Sequence, residues 1–145
     1  MAPPLLILRD IHLRFGAKPL LDGAELFLSE GERLCLVGRN GCGKSTLLKI
    51  AAGAVEVDDG ERFVQPGATL RYLPQEPDLD GFETTLAAVE DGLAPGDNPH
   101  RAHTLLEHLG LSGAENPAHL SGGEARRAAL ARALAPDPDI LLLDE

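Results

Sequence analysis

The sequence has no tryptophan, and its only aromatic rings besides histidine are four phenylalanines and one tyrosine. So few rings offer no stacking platform for unpaired bases, the usual grip on single-stranded nucleic acid. Lysine is scarcer still, at three residues. The 13 basic residues face 23 carboxylates, for a net charge of −10. That excludes a broad cationic face for a phosphate backbone and leaves room only for a small local patch. There are two cysteines, Cys35 and Cys42, without metal-ligand spacing; they read as reduced thiols of a cytoplasmic protein. No apolar run reaches the length of a transmembrane helix, so no membrane insertion is expected. The start, Met1-Ala2-Pro3-Pro4, lacks the basic region of a signal peptide, and Arg9 and Asp10 cut the apolar run that follows.

What is present suits a globular α/β chain. Hydrophobic residues make up 43% and charged residues 25%, and 145 residues fit one domain with a real core. Leu5–Leu8, Ile11–Phe15 and Ala24–Leu28 read as strands, with Gly16–Asp22 as a loop. Leu34-Cys35-Leu36-Val37 is continuously apolar, the pattern of a strand covered on both faces. Lys44–Ala52 reads as a helix stopped at Gly53. Arg62–Val64 and Thr69–Leu73 flank the turn sequence Gln65-Pro66-Gly67. Beyond Leu73-Pro74-Gln75-Glu76-Pro77, where the prolines forbid helix, the texture becomes helical. Thr84–Gly92 and Pro99–Leu109 are helix candidates, the second with Asn98 as N-cap and Gly110 as its stop. Gly92–Asn98 and Gly113–Pro117 read as linkers. A helix over Gly122–Leu134 and a strand over Ile140–Leu143 close the chain.

Gly38, Gly43, Lys44 and Ser45 match G-x-x-x-x-G-K-[ST]. A triphosphate needs several positive partial charges converging with no bulky side chain in the way. Glycines let successive N–H groups face the phosphate oxygens, and the following helix adds its dipole. Lys44 supplies a full charge at the β and γ oxygens, and the Ser45 hydroxyl is a magnesium ligand. The implied ligands are ATP and Mg²⁺. Magnesium needs a carboxylate as well, and phosphoryl transfer to water needs a group to orient the water. The apolar strand Ile140–Leu143 delivers both at its tip. Asp144 is expected to hold the metal and Glu145 to polarise the water, although alone they would read as two solvated acids.

Leu120-Ser121-Gly122-Gly123-Glu124 carries the S-x-x-E capping box, so a well-capped helix accounts for part of it. It does not account for two glycines in a first turn, each costing about 1 kcal/mol relative to alanine. Bare N–H groups that must approach an anion would, so the segment reads as a second phosphate-facing surface. Arg126 and Arg127 behind it read as solvated.

Taken together and in this order, the phosphate loop, Leu120–Glu124 and the Leu141-Leu142-Leu143-Asp144-Glu145 ending resemble an ABC-type ATPase cassette. The resemblance implies an α/β P-loop NTPase core with an N-terminal antiparallel β-rich subdomain. A short helical subdomain would carry the signature motif. The β-rich part and phosphate loop would span 1–75, the helical part and signature helix 76–135, and the Walker B strand 136–145. The ATP-contacting set becomes Gly38, Arg39, Asn40, Gly41, Cys42, Gly43, Lys44, Ser45 and Thr46. Leu120, Ser121, Gly122, Gly123 and Glu124 would face the ATP of a partner cassette. Gln75 matches the glutamine that touches magnesium and the water, joining Glu145 as catalytic and Ser45 and Asp144 at the metal. Phe15 stands where the family places an adenine-stacking aromatic, although as a residue it reads equally as core.

The wording of Gly38–Thr46, Leu20-Leu21-Asp22 and Tyr72–Glu76 is most similar to the first cassette of the ABC-F class. That implies two cassettes in one chain, no membrane domain, and action on ribosomes near the tRNA exit site. DNA would be a further partner through a C-terminal tail. The ATPase subunit of a membrane transporter and a non-catalytic nucleotide-binding fragment remain as alternatives. The family's D-loop and switch histidine follow Walker B, so the chain is expected to be the N-terminal part of a longer protein. His12, His100, His103, His108 and His119 precede Walker B and read as ordinary surface or partly buried residues.

Overall fold

A computed structural model of the chain describes residues 3–39 and 41–144. The chain divides into two compact units, Met1–Leu70 and Arg71–Glu145.

In the first unit, β1 (Pro4–Phe15) lies between β2 (Lys18–Ser29) and β3 (Asp59–Val64), antiparallel to both. The two short strands expected before Gly16 are one strand with an irregularity at Asp10, whose φ is 51°. This irregularity has a purpose in the packing. Leu6 and Leu8 are buried at a spacing of two, and so are Ile11 and Leu13. One extra residue between the pairs keeps both halves facing the core, because a single-residue slip would turn the second half outward. Gly60 (φ 113°) receives the kink: a Cβ there would lie 2.5 Å from the Asp10 carbonyl oxygen, a backbone approach only glycine permits.

The loop expected over Gly16–Asp22 shrinks to the turn Gly16-Ala17, and Lys18 already pairs with Phe15. Leu21 stands opposite Leu13 and both are buried, so burial of Leu21 extends the hairpin into the expected loop. The helix α1 (Lys44–Ala52) has the predicted bounds, buries Ile50 and Ala51, and ends at Gly53 in the left-handed conformation.

Leu34–Val37 corrects another expectation. The segment has no regular structure, and Val37 is 88% exposed. An apolar run becomes a strand only where neighbouring strands supply its ladder. None of the described residues does so here.

The second unit begins within β4 (Leu70–Leu73), which pairs with β5 (Ile140–Leu143). Three helices, α2 (Thr85–Asp91), α3 (His100–His108) and α4 (Gly122–Leu134), pack together around Leu79, Val89, Leu106 and Leu111. Ala128, Ala131 and Ala135 contribute one small-residue face of the α4 segment to this core, at the i, i+3, i+7 spacing of a helical stripe. Burying Leu106 completely is worth about 1.5–3 kcal/mol. Thr84 caps α2 by accepting from the Ala87 N–H. The α3 start is one residue later than expected. Pro99 occupies the cap position, while the Asn98 side chain still accepts from the His100 N–H at 3.0 Å.

Candidate functional site

In the first unit the phosphate-loop sequence leads into α1. Gly43 is the N-cap residue at φ 100°, no side chain caps the helix, and its first turn holds no acidic residue. N–H groups without a side-chain cap, in a turn without an acidic residue of its own, leave the helix dipole available to an anion. Gly43 also packs against β2: a Cβ there would lie 3.2 Å from Leu21 Cδ2 and 3.4 Å from Leu20 Cγ. Lys44 arches back so that Nζ donates to the Gly38 carbonyl, and the Cys42 N–H donates to the Arg39 carbonyl at 3.2 Å. A side chain at Gly38 would begin 2.7 Å from Cys42 Sγ. Ser45 and Thr46 follow in the first turn of α1, and Gly41 has a φ of 82°. Asn40 lies outside the described residues. Phe15 ends β1 at 64% exposure, so the core reading of this ring falls away.

In the second unit, Asp144 follows β5 and is only 6% exposed. Its N–H donates to the Leu73 carbonyl at 3.0 Å. Its carboxylate accepts from the Tyr72 hydroxyl at 2.9 Å. Burial, the hydrogen bond to Asp144 and the negative charge of that carboxylate push the Tyr72 pKa up to about 12. Tyr72 is a site residue that sequence reasoning missed, because no local signal reveals that β4 and β5 are neighbours. Gln75 lies two residues beyond β4 and is exposed. Glu145 lies outside the described residues. Hydroxyl, amide and carboxylate oxygens are the hard donors that Mg²⁺ prefers, so the residue types of Ser45, Gln75 and Asp144 fit that ion.

The segment expected as the linker Gly113–Pro117 is firmly tied. The Glu115 carboxylate accepts from the N–H groups of Ser112 and Gly113; its interaction with its own backbone N–H first, and then these bonds, hold its pKa below the ordinary value against the opposing effect of burial. The Glu115 carbonyl accepts from both the N–H and the hydroxyl of buried Thr85. This loop leads into Leu120, which packs on the helical core, and then into α4. Ser121 Oγ accepts from the Glu124 N–H at 3.2 Å, and Glu124 Oε1 accepts from the Ser121 N–H at 2.9 Å. These bonds to Ser121, with the charge of Arg127, lower the Glu124 pKa. Gly122 and Gly123 are exposed, and a Cβ on either would meet nothing within 4 Å. Arg127 is not merely solvated: Nη1 donates to the Leu109 carbonyl at 2.9 Å and Nε to the Gly123 carbonyl at 3.3 Å. It caps the end of α3 and steadies the glycine turn.

A glycine-bearing loop that enters an uncapped helix beside an antiparallel sheet, with a buried acid closing an apolar strand, defines a P-loop nucleotide-binding protein. More narrowly, the chain belongs to the ABC transporter family, whose model matches residues 21–145. This family binds ATP with Mg²⁺. The chain is 54% identical over 143 residues to the ATP-binding protein Uup of Caulobacter vibrioides, covering 98% of this chain and 23% of that protein. It is 41% identical over 140 residues to the aliphatic sulfonates import ATP-binding protein SsuB 1 of Pseudomonas syringae pv. tomato, covering 95% and 51%. The chain therefore spans about a quarter to a half of these relatives. Among solved structures it is similar to the ATP-binding subunit of an ABC transporter, with a TM-score of 0.87 and 25% identity over 97% of this chain and 66% of that one. No helix among the described residues is long and apolar enough to cross a membrane.

Proposed function

We propose that this chain is the nucleotide-binding module of a cytoplasmic ABC-F class ATPase, in which ATP-driven closure of two cassettes sets the affinity for ribosomes. The observation that carries the composite-site part of this reading is the pair Gly122-Gly123. None of the described residues lies within 4 Å of where their side chains would begin, so packing among those residues does not require glycine there. A second cassette presenting its ATP to the turn supplies the reason. The phosphate loop, Ser45, Gln75 and Asp144 are assigned to this cassette's ATP and Mg²⁺, and the signature turn to the ATP of the partner cassette. Glu145 is assigned to polarise the water that attacks the γ-phosphate, yielding ADP and phosphate. The 54% identity to Uup supports the class, beside the wording of Gly38–Thr46 and Tyr72–Glu76.

The test uses the whole protein to which this module belongs. Glu145→Gln is expected to hold ATP unhydrolysed in a closed state and to remain on ribosomes. A variant that leaves ribosomes as readily as the wild type ends the translation reading.

A second reading is the ATPase subunit of a transporter. The 41% identity to SsuB 1 supports it, and an open cleft in the second unit lined in part by Pro74, Pro77, Leu93 and Arg132 is where a partner element would be sought. A second cassette in the same reading frame supports the first reading; a separate membrane subunit recovered with the protein supports the second.

A further inference from the structure

The helix that follows the phosphate loop is short. At nine residues, α1 is below the roughly 12–15 needed for even a marginal isolated helix, so its placement depends on its contacts. One end is held by Gly43 packing on Leu20 and Leu21. At the other end the last carbonyls need partners. The Ala54 N–H takes the Lys49 carbonyl at 2.9 Å and the Gly53 N–H takes the Ile50 carbonyl at 3.0 Å, the paired bonds of a Schellman ending. The Ala51 carbonyl is taken by a side chain: Arg62 of β3 donates to it from Nε at 3.1 Å and from Nη2 at 2.9 Å. Arg62 pairs with Leu8 in the β1–β3 ladder, so the two side chains share a face. Leu8 is fully buried, and the arginine stem can cover it while the guanidinium reaches the helix end. A cation at a helix C-terminus also complements the dipole.

We infer that Arg62 is a positioning residue for the phosphate loop, fixing α1 to the sheet from the end opposite the nucleotide; this rests on the ATP-binding reading above. Its side-chain hydrogen bonds are to Ala51, near the C-terminal end of α1, whereas Gly43 is at the helix start. Its effect passes through the helix to Gly43, Lys44 and Ser45.

The test titrates ¹⁵N-labelled protein with Mg-ATP into the millimolar range, well below the melting temperature, and follows the amides of Gly43, Lys44 and Ser45. Arg62→Met is expected to raise the Kd about three- to tenfold. Arg62→Lys, which restores the charge and a single donor, should recover part of that loss. Phe63→Ala, which pairs with Ile7 on the opposite face of the same strand, serves as a variant that lowers stability away from the Arg62 face, and its Kd should stay within about twofold of wild type. Wild-type affinity in Arg62→Met, or equal weakening by Phe63→Ala, overturns the inference while leaving ATP binding standing. A wild-type protein whose loop amides never respond to Mg-ATP overturns the ATP reading, and this inference with it.

Discussion

The Tyr72 hydroxyl donates a 2.9 Å hydrogen bond to Oδ2 of Asp144, joining β4 to the acid that closes β5. Asp144 is buried, so removing this donor takes a charge-assisted hydrogen bond from a desolvated carboxylate. Tyr72→Phe should therefore destabilise the protein by about 1–3 kcal/mol, read as a shift in the urea midpoint. The same contact sets a pH response. The folded pKa of about 12 lies above the ordinary tyrosine value of 10.0. The contribution is therefore complete below pH 10 and is lost as pH rises towards 12. Tyr72 is the only tyrosine in the sequence, so the ultraviolet absorbance of tyrosinate reports it alone. A native midpoint at the ordinary tyrosine value would contradict the geometry.

The signature turn predicts opposite signs for stability and activity. Gly122 and Gly123 lie in the first turn of α4 with open space where a Cβ would go. Gly122→Ala and Gly123→Ala should each stabilise the helix by about 0.5–1 kcal/mol and, on the proposed composite site, suppress ATP turnover by the whole protein. Ser121→Ala breaks the capping box and should cost about 1 kcal/mol. Urea denaturation set beside phosphate release separates these cases. Alanine variants that gain stability and keep full turnover would leave the glycines unexplained.

Legibility follows the range of the interaction. The helix α1 is readable because Gly43 and Gly53 bracket it, and α4 because Ser121 and Glu124 announce its start; such signals lie at or beside the helix ends they govern. Leu34–Val37 misleads because an apolar run states a preference for burial without saying which strand will lie alongside. Lys18–Asp22 looks like loop because its strand character comes from pairing with β1. Arg127 looks solvated because its partner Leu109 lies 18 residues away, and Tyr72 escapes notice because Asp144 lies 72 residues away. The phosphate loop and signature are legible because their chemistry demands glycine, lysine and serine at fixed spacing.

His12 should make the first unit sensitive to pH near neutrality. Its Nε2 lies 3.0 Å from Asp10 Oδ1 and its Nδ1 lies 3.2 Å from Asp22 Oδ1. Asp22 on β2 and Asp59 on β3 are its ladder partners. The hydrogen bond to Asp10 raises its pKa above 6.5; the charges of Asp10, Asp22 and Asp59 add to the rise, while burial opposes it. A raised folded pKa means the stabilisation is fully present below 6.5 and is lost as pH climbs through the folded value. The melting temperature should therefore fall between about pH 6 and pH 8, and His12→Asn should flatten that slope. An unchanged slope in the variant would assign the effect to other groups.

The two positive-φ glycines of the phosphate loop should differ when replaced. A Cβ on Gly41 (φ 82°) would meet nothing within 4 Å, whereas a Cβ on Gly43 (φ 100°) would press on Leu21 Cδ2 at 3.2 Å. A left-handed backbone costs an alanine about 1–2 kcal/mol, so Gly41→Ala should lose about that much and no more. Gly43→Ala carries the same backbone cost together with a contact that displaces Leu20 and Leu21, or shifts the start of α1 away from β2. Its destabilisation should exceed that of Gly41→Ala, and the amides of Lys44 and Ser45 should move even without nucleotide. Thermal melts and amide shifts of the two variants, measured side by side, decide the point. Equal losses with unmoved amides would mean that the packing of Gly43 on β2 does not hold the helix in place.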